Sequence, residues 1–261
     1  MYVLGGPPST SDPHDASSWE FLGPIRNLDT RQWAIDGTVF ELDNELYFAY
    51  SGWPLEQAPD DYDERTQQLF IARMSDPTTL SSAPVMISHP DREWERSGEA
   101  GINEGPQFLS SPDGTSWRGL VYSCAGSWTK DYKMATLQFL GGDPLRPEAW
   151  KKSDEPLLQN SDDRHGSKGP FGPGHGNFVR VGDETMAVFH ATDGPGDGHS
   201  GRKCRLQRVG FGVDGGPFMG GCVGEVTRDL GVFSQGSGSA GRKEGKGAKL
   251  KGVLESIARK I

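Results

Sequence analysis

The feature that most restricts how this chain can fold is a unit that occurs three times. Asp36, Glu104 and His175, 68 and 71 residues apart, are each followed by glycine and then an apolar strand. The strands read Thr38-Val39-Phe40-Glu41-Leu42, Pro106-Gln107-Phe108-Leu109 and Asn177-Phe178-Val179-Arg180-Val181. A polar turn follows each (Asp43-Asn44, Pro112-Asp113-Gly114, Gly182-Asp183), and then a second apolar strand begins at Leu46, Gly119 or Met186. Later in the units, Asp12-Pro13, Asp76-Pro77 and Asp143-Pro144 each close one more strand and precede a last one, such as Trp19–Leu22 or Val85–Ile87. Four short strands per repeat cannot bury their apolar faces alone, and stacking successive units like blades of a propeller buries them.

The expected fold is therefore all-β, an incomplete β-propeller. Units 36–90, 104–158 and 175–217 give about three blades, and residues 1–25 supply only the outer strands of an earlier one. Such an edge leaves backbone groups unpaired, so the chain reads as truncated at its front. The propeller domain is placed at 1–230. In 231–261, Ser234–Ala248 reads as a Gly/Ser/Lys/Arg linker, and Leu250, Val253, Leu254, Ile257 and Ile261 share one face of a short basic helix outside the fold. That end carries seven Lys/Arg against two Glu, whereas the whole chain is at −9, which argues against nucleic acid as a partner. No apolar run is long enough to span a bilayer, and no signal peptide is visible before Gly5-Gly6-Pro7-Pro8. Three cysteines without metal-ligand spacing say little about compartment.

In a propeller the innermost strand of every blade starts near the central axis. Asp36, Glu104 and His175 are thus expected to converge, although far apart in sequence. Two neighbouring carboxylates raise each other's pKa, which keeps one protonated as a general acid. Cleavage of a glycosidic bond uses such a pair. Trp33, Trp53, Trp94 and Trp128 cluster around the anchors in sequence. An aromatic face suits the C–H groups of a sugar, and Trp33 and Trp53 are the preferred candidates. Ser111–Trp117 reads as a plain β-turn.

Trp33-Ala34-Ile35-Asp36-Gly37-Thr38, Tyr47–Trp53, Ile102-Asn103-Glu104-Gly105-Pro106 and Gly172–Phe178, in this order and at blade spacing, resemble glycoside hydrolase family 43, with the α-L-arabinofuranosidase branch closest. The resemblance covers roughly 1–217 and implies a five-bladed β-propeller that removes arabinofuranosyl or xylosyl residues from plant polysaccharides with inversion. It implies Glu104 as general acid and Asp36 as the residue that tunes its pKa and orientation. It also implies Trp33, Ile35, Trp53, His175 and Arg205 as substrate contacts, with His175 near the axis where some members hold a calcium ion through water. No cofactor is otherwise required, the partner is an arabinose- or xylose-containing glycan, a monomer is expected, and the family is often extracellular. The family's general base, an Asp about two blades before the position of Asp36, has no counterpart here: the repeat puts Asp12 on an outer strand. Without a base to activate water the chain is expected to turn over little or not at all. The alternative is a non-catalytic, carbohydrate-binding propeller.

Overall fold

The computed structural model describes residues 1–6, 12, 14–29, 33–54, 66–96, 101–160 and 169–222. Two short strands come first, β1 (Tyr2–Gly5) and β2 (Glu20–Pro24), paired antiparallel as a two-stranded sheet. The first full blade holds β3 (Ala34–Leu42), β4 (Glu45–Gly52) and β5 (Gln68–Asp76), with β6 (Thr79–Leu80) and β7 (Val85–Ser88) both paired to β5. The second holds β8 (Asn103–Ser110), β9 (Arg118–Cys124), β10 (Lys133–Phe139), β11 (Trp150–Lys152) and β12 (Leu158–Gln159). The third holds β13 (Phe171–Val181), β14 (Glu184–Thr192), β15 (Lys203–Phe211) and β16 (Pro217–Phe218). A last strand, β17 (Gly220–Gly221), returns to the second blade and pairs parallel to β12.

These blades match the three repeats of the sequence and the outer pair before them. The turn signals act as their chemistry predicts. Asp43 and Asn44 sit at φ 53° and 63°, the left-handed pair that a tight hairpin between β3 and β4 needs and that Asp and Asn tolerate. The middle strands are buried on both faces, as β4 shows from Tyr47 to Gly52, so they read as continuous apolar runs and not as alternation.

The cores lie between blades. Phe40, Tyr47 and Ile71 of the first blade pack with Leu120, Tyr122 and Leu137 of the second. Val121, Met134 and Leu158 pack with Ala187, Phe189 and Met219. On the far side of the first blade, Phe48, Tyr50 and Phe70 are covered by Ile25 and Leu28, with Met1 and Val3 against them. Because each β4- or β9-type strand contributes alternate residues to two interfaces, neighbouring blades are fixed relative to one another at their inner edges. The boundary at 230, the linker and the basic helix lie outside the described residues.

Candidate functional site

Each innermost strand is interrupted by a bulge at the place where the sequence has its anchor. Ile35 and Thr38 face Ser51 and Ala49, Glu104 and Gln107 face Ser123 and Val121, and Gly174 and Asn177 face His190 and Val188. In each case β3, β8 or β13 carries one residue more than its partner, which re-aims side chains and is frequent beside functional sites. The bulges put Asp36, Gly105 and His175 at φ 56°, 57° and 54°. Asp and His are among the few residues with a Cβ that accept this region, and glycine accepts it freely.

This register corrects one expectation. The position equivalent to Asp36 and His175 is Gly105, while Glu104 stands one residue earlier, level with Ile35 and Gly174. The three anchors still converge, but not as three copies of one position. The offset gives Glu104 a different setting: it is buried, the Asp36 side chain is 17% exposed and that of His175 is 43% exposed.

The groups are joined in a short circuit. Gly105 N–H donates to Asp36 Oδ2 (3.1 Å), and His175 Nε2 lies 3.6 Å from Asp36 Oδ1. Tyr132 Oη donates to Glu104 Oε1 (2.5 Å) and stands 3.3 Å from His175 Nδ1. His175 N–H donates to Ser123 Oγ (2.7 Å). A Cβ on Gly174 would be 2.0 Å from the Tyr132 ring, so that glycine is needed for the close approach, while one on Gly105 would meet the His175 ring at a tight 3.3 Å.

Burial pushes the Glu104 carboxyl above its ordinary range. The Tyr132 hydroxyl opposes this by stabilising the charged form, the Asp36 charge raises it again, and His175 and Arg202 pull it down. Tyr132 itself is driven well above the usual phenol range by burial and by the Glu104 charge, so it stays a donor. Its ring stacks on His190 (5.5 Å between centroids). Burial, then Arg202, His175 and His199, lower the His190 imidazole to about 4, which keeps it neutral.

Behind Glu104 lies a second buried carboxylate. Glu95 accepts from Asn103 Nδ2 (2.8 Å), Tyr122 Oη (2.8 Å) and Arg92 N–H (2.9 Å), and Lys152 Nζ sits 3.0 Å from its Oε2. Asn103 also accepts from Ser88 Oγ at its side chain (2.6 Å) and from Ser51 Oγ at its carbonyl (2.8 Å). The residue before Glu104 is thereby held by groups from the first two blades.

Of the other expected residues, Trp33 and Trp53 stack on each other with centroids 5.2 Å apart, Trp33 being exposed, and Ile35 is half-buried beside Asp36. Trp94 does not face the site: it packs against the core between the first two blades, and its Nε1–H donates to Asp154 O (3.2 Å). Arg205 is drawn into an ion pair with Asp193 opposite Phe189, and the arginine whose charge reaches Glu104 is Arg202. Asp12 lies in an exposed turn bonded to His14. Asp36 is a carboxylate whose charge acts on Glu104, and among the described residues no three His, Cys, Asp or Glu side chains converge as a direct metal centre. Sequence reasoning missed Tyr132, Arg202, His190 and Glu95. The sequence singled out Arg205 of the neighbouring Arg202/Arg205 pair, and Arg202 is the member whose charge reaches Glu104.

The family model "Glycosyl hydrolases family 43" matches residues 9–217. An extracellular exo-α-(1→5)-L-arabinofuranosidase of Streptomyces avermitilis is 30% identical over 228 residues, which cover 84% of this chain and 44% of that protein. Alpha-L-arabinofuranosidase B of Pyricularia oryzae is also 30% identical, over 84% of this chain and 43% of its own length. The crystal structure of an α-L-arabinofuranosidase from Lactobacillus brevis superposes with a TM-score of 0.71 at 28% identity, over 85% of this chain and 66% of that one. The chain spans less than half the length of these two curated relatives.

Proposed function

From a chain that belongs to glycosyl hydrolase family 43, we propose a hydrolase of O-glycosyl bonds that removes α-L-arabinofuranosyl residues from plant cell-wall glycans with inversion. The observation that carries this reading is the setting of Glu104: buried, held by one hydroxyl at Oε1, and next to the Asp36 charge. A carboxyl so placed keeps its proton to higher pH than an ordinary carboxyl and can hand it to a leaving oxygen as the glycosidic bond breaks. Asp36, fixed by Gly105 N–H, raises that proton affinity and, through His175, orients the same corner. Trp33 and Trp53 offer aromatic faces for the sugar, and Arg205 and Arg202 offer guanidinium groups to its hydroxyls. No cofactor takes part in the proton transfer. A calcium ion held through water at His175 would add positive charge at the axis. The protein is proposed to work outside the cell, in line with the name of its Streptomyces avermitilis relative, and as a monomer.

Inversion also requires a base, about 6.5–9.5 Å from the acid, to activate water. The repeat assigns no residue to that base, and Asp36 is committed to tuning the acid. The chain by itself is therefore proposed to bind arabinofuranosides and to hydrolyse them slowly. Release of nitrophenol from 4-nitrophenyl α-L-arabinofuranoside should be near background. Calorimetry with arabino-oligosaccharides should show binding that survives Glu104→Gln. Rapid nitrophenol release would sink the missing-base argument, and an absence of binding would sink the carbohydrate reading.

A further inference from the structure

Asn103, the residue before Glu104, is fully buried, and each of its polar atoms is bonded. Its backbone N–H donates to Gln67 O (3.0 Å), and its carbonyl accepts from Ser51 Oγ (2.8 Å). Its Oδ1 accepts from Ser88 Oγ (2.6 Å), and its Nδ2 donates to Glu95 Oε1 (2.8 Å) and to Ile102 O (2.9 Å). Ser51 lies on β4, Ser88 on β7 and Gln67 just before β5, so three of these partners belong to the first blade. A buried polar network whose members are all satisfied is rigid and specifies one arrangement.

The other two blades do without this clamp. Glu104 is level with Ile35 and Gly174, so the residues matching Asn103 are Ala34 and Pro173. Neither side chain has a hydrogen-bonding group, yet both strands form and both bulge. Neither the strand nor the bulge therefore requires a buried amide at this position. Burying one is unfavourable unless it is fully bonded, and the blade that has it is the blade that carries the acid.

The chain after Glu104 shows what the clamp is for. Gly105 sits at φ 57°, and Pro106 has no N–H to give to a ladder. The pairing of β8 with β9 jumps from Glu104–Ser123 to Gln107–Val121, so regular pairing is broken on the C-terminal side of the acid. On its N-terminal side the Asn103 carbonyl shares one planar peptide unit with the Glu104 nitrogen. The Ser51 hydroxyl thus fixes the plane from which the Glu104 side chain leaves the strand. At the other end of that side chain, Oε1 has to meet Tyr132 Oη (2.5 Å), which comes from just before β10.

We propose that Asn103 is a positioning residue for the acid: bonded to Ser51, Ser88 and Glu95, it fixes the direction in which Glu104 leaves β8 and so the hydrogen bond between Glu104 and Tyr132. The inference rests on the reading of Glu104 as the acid and adds what aims it. Because the clamp is built largely from the first blade, which also carries Asp36, the acid and the carboxylate that tunes it share one frame. Asn103 acts through Glu104 and not on the sugar.

The test is a double-mutant cycle on the whole chain, read by the ¹³C shift of the Glu104 carboxyl carbon through a pH titration, with Glu104→Gln to assign the signal. Tyr132→Phe removes a bond to the charged form, and in the wild type it should raise the Glu104 midpoint by about one unit, tenfold in proton affinity. In an Asn103→Ala background the same substitution should raise it by roughly half of that or less, because the bond it removes is already misaligned. Asn103→Ala lowers the melting temperature whatever the role of the residue, whereas the increment shrinks only if Asn103 acts through Glu104. Equal increments in the two backgrounds overturn the proposal. Should Asn103→Ala not fold, Ser51→Ala takes its place: it removes one hydroxyl from the Asn103 carbonyl and should also shrink the increment, and an unchanged increment there overturns the proposal too. A wild-type midpoint in the ordinary carboxylate range removes the acid reading and this inference with it. A raised midpoint with equal increments removes this inference alone.

Discussion

Glu95 and Glu104 are both buried where the first two blades meet, and their surroundings differ in kind. Glu95 accepts three hydrogen bonds and faces the Lys152 ammonium, so each of its oxygens is answered. Glu104 has one hydroxyl at Oε1 and a second carboxylate nearby, with His175 and Arg202 acting on it more weakly. A buried charge that is fully paired is structural, since removing its partner strands the other charge. A buried carboxyl left under-paired is driven to hold a proton, which is what acid catalysis asks for. The difference between the two glutamates lies in the number of donors and not in depth of burial.

The largest effect expected from this contrast is on Glu95. Glu95→Gln removes the buried charge facing Lys152, whose side chain is 10% exposed, and should cost about 3–5 kcal/mol in urea unfolding. A cost under about 1 kcal/mol would show that Lys152 is satisfied by His89 O and Asp91 alone, and the contrast would collapse. Tyr132→Phe comes next. It keeps the ring against His190 but takes the donor from Glu104, and the loss of a hydrogen bond to a charged group is worth about 1.5–3 kcal/mol. That loss should be larger at pH 8 than at pH 4, where the carboxyl is neutral and needs less support. Equal losses at both would mean that Tyr132 serves packing only.

The sequence made some of this legible and hid the rest for physical reasons. The blades could be read because strands and turns are local: Asp43-Asn44 enforces its own hairpin, and the double-sided burial of β4 is written in Leu46–Tyr50. Glu104 and Asp36 could be read because each opens a strand of the repeat. The one-residue offset of Glu104 could not, since glycine follows Asp36, Glu104 and His175 alike and only the bulge register tells them apart. Tyr132 and Glu95 acquire their roles through contacts with distant strands, and nothing beside them in sequence marks that. Arg202 and Arg205 lie three residues apart, and nothing local marks that Arg205 pairs with Asp193 while the Arg202 charge reaches Glu104.

Glu104→Gln should have the opposite sign to Glu95→Gln. The folded-state pKa of Glu104 is raised above the ordinary 4.5, so from 4.5 upwards the native state holds a proton that the unfolded chain has released. Stability therefore falls as pH rises through that interval. The amide keeps the acceptor for Tyr132 and removes the charge. Thermal unfolding should find the variant matching the wild type at pH 4 and more stable than it at pH 8. A variant less stable at pH 8 would mean that Glu104 is paired as well as Glu95 is.

The smallest and most specific effect concerns Asp36→Asn. Asparagine accepts the φ of 56° at this bulge, and its oxygen can still receive the Gly105 N–H, so the backbone has no reason to move. What disappears is the charge, which after burial is the other influence that raises the Glu104 carboxyl. The midpoint of Glu104, followed by the ¹³C shift of its carboxyl carbon, should move down, while His175 loses the carboxylate 3.6 Å from its Nε2. An unchanged midpoint would leave burial as the sole cause and would reduce Asp36 to a backbone cap for Gly105. A lowered one makes Asp36 the second carboxylate that helps Glu104 hold its proton, whereas Glu95 faces the Lys152 ammonium.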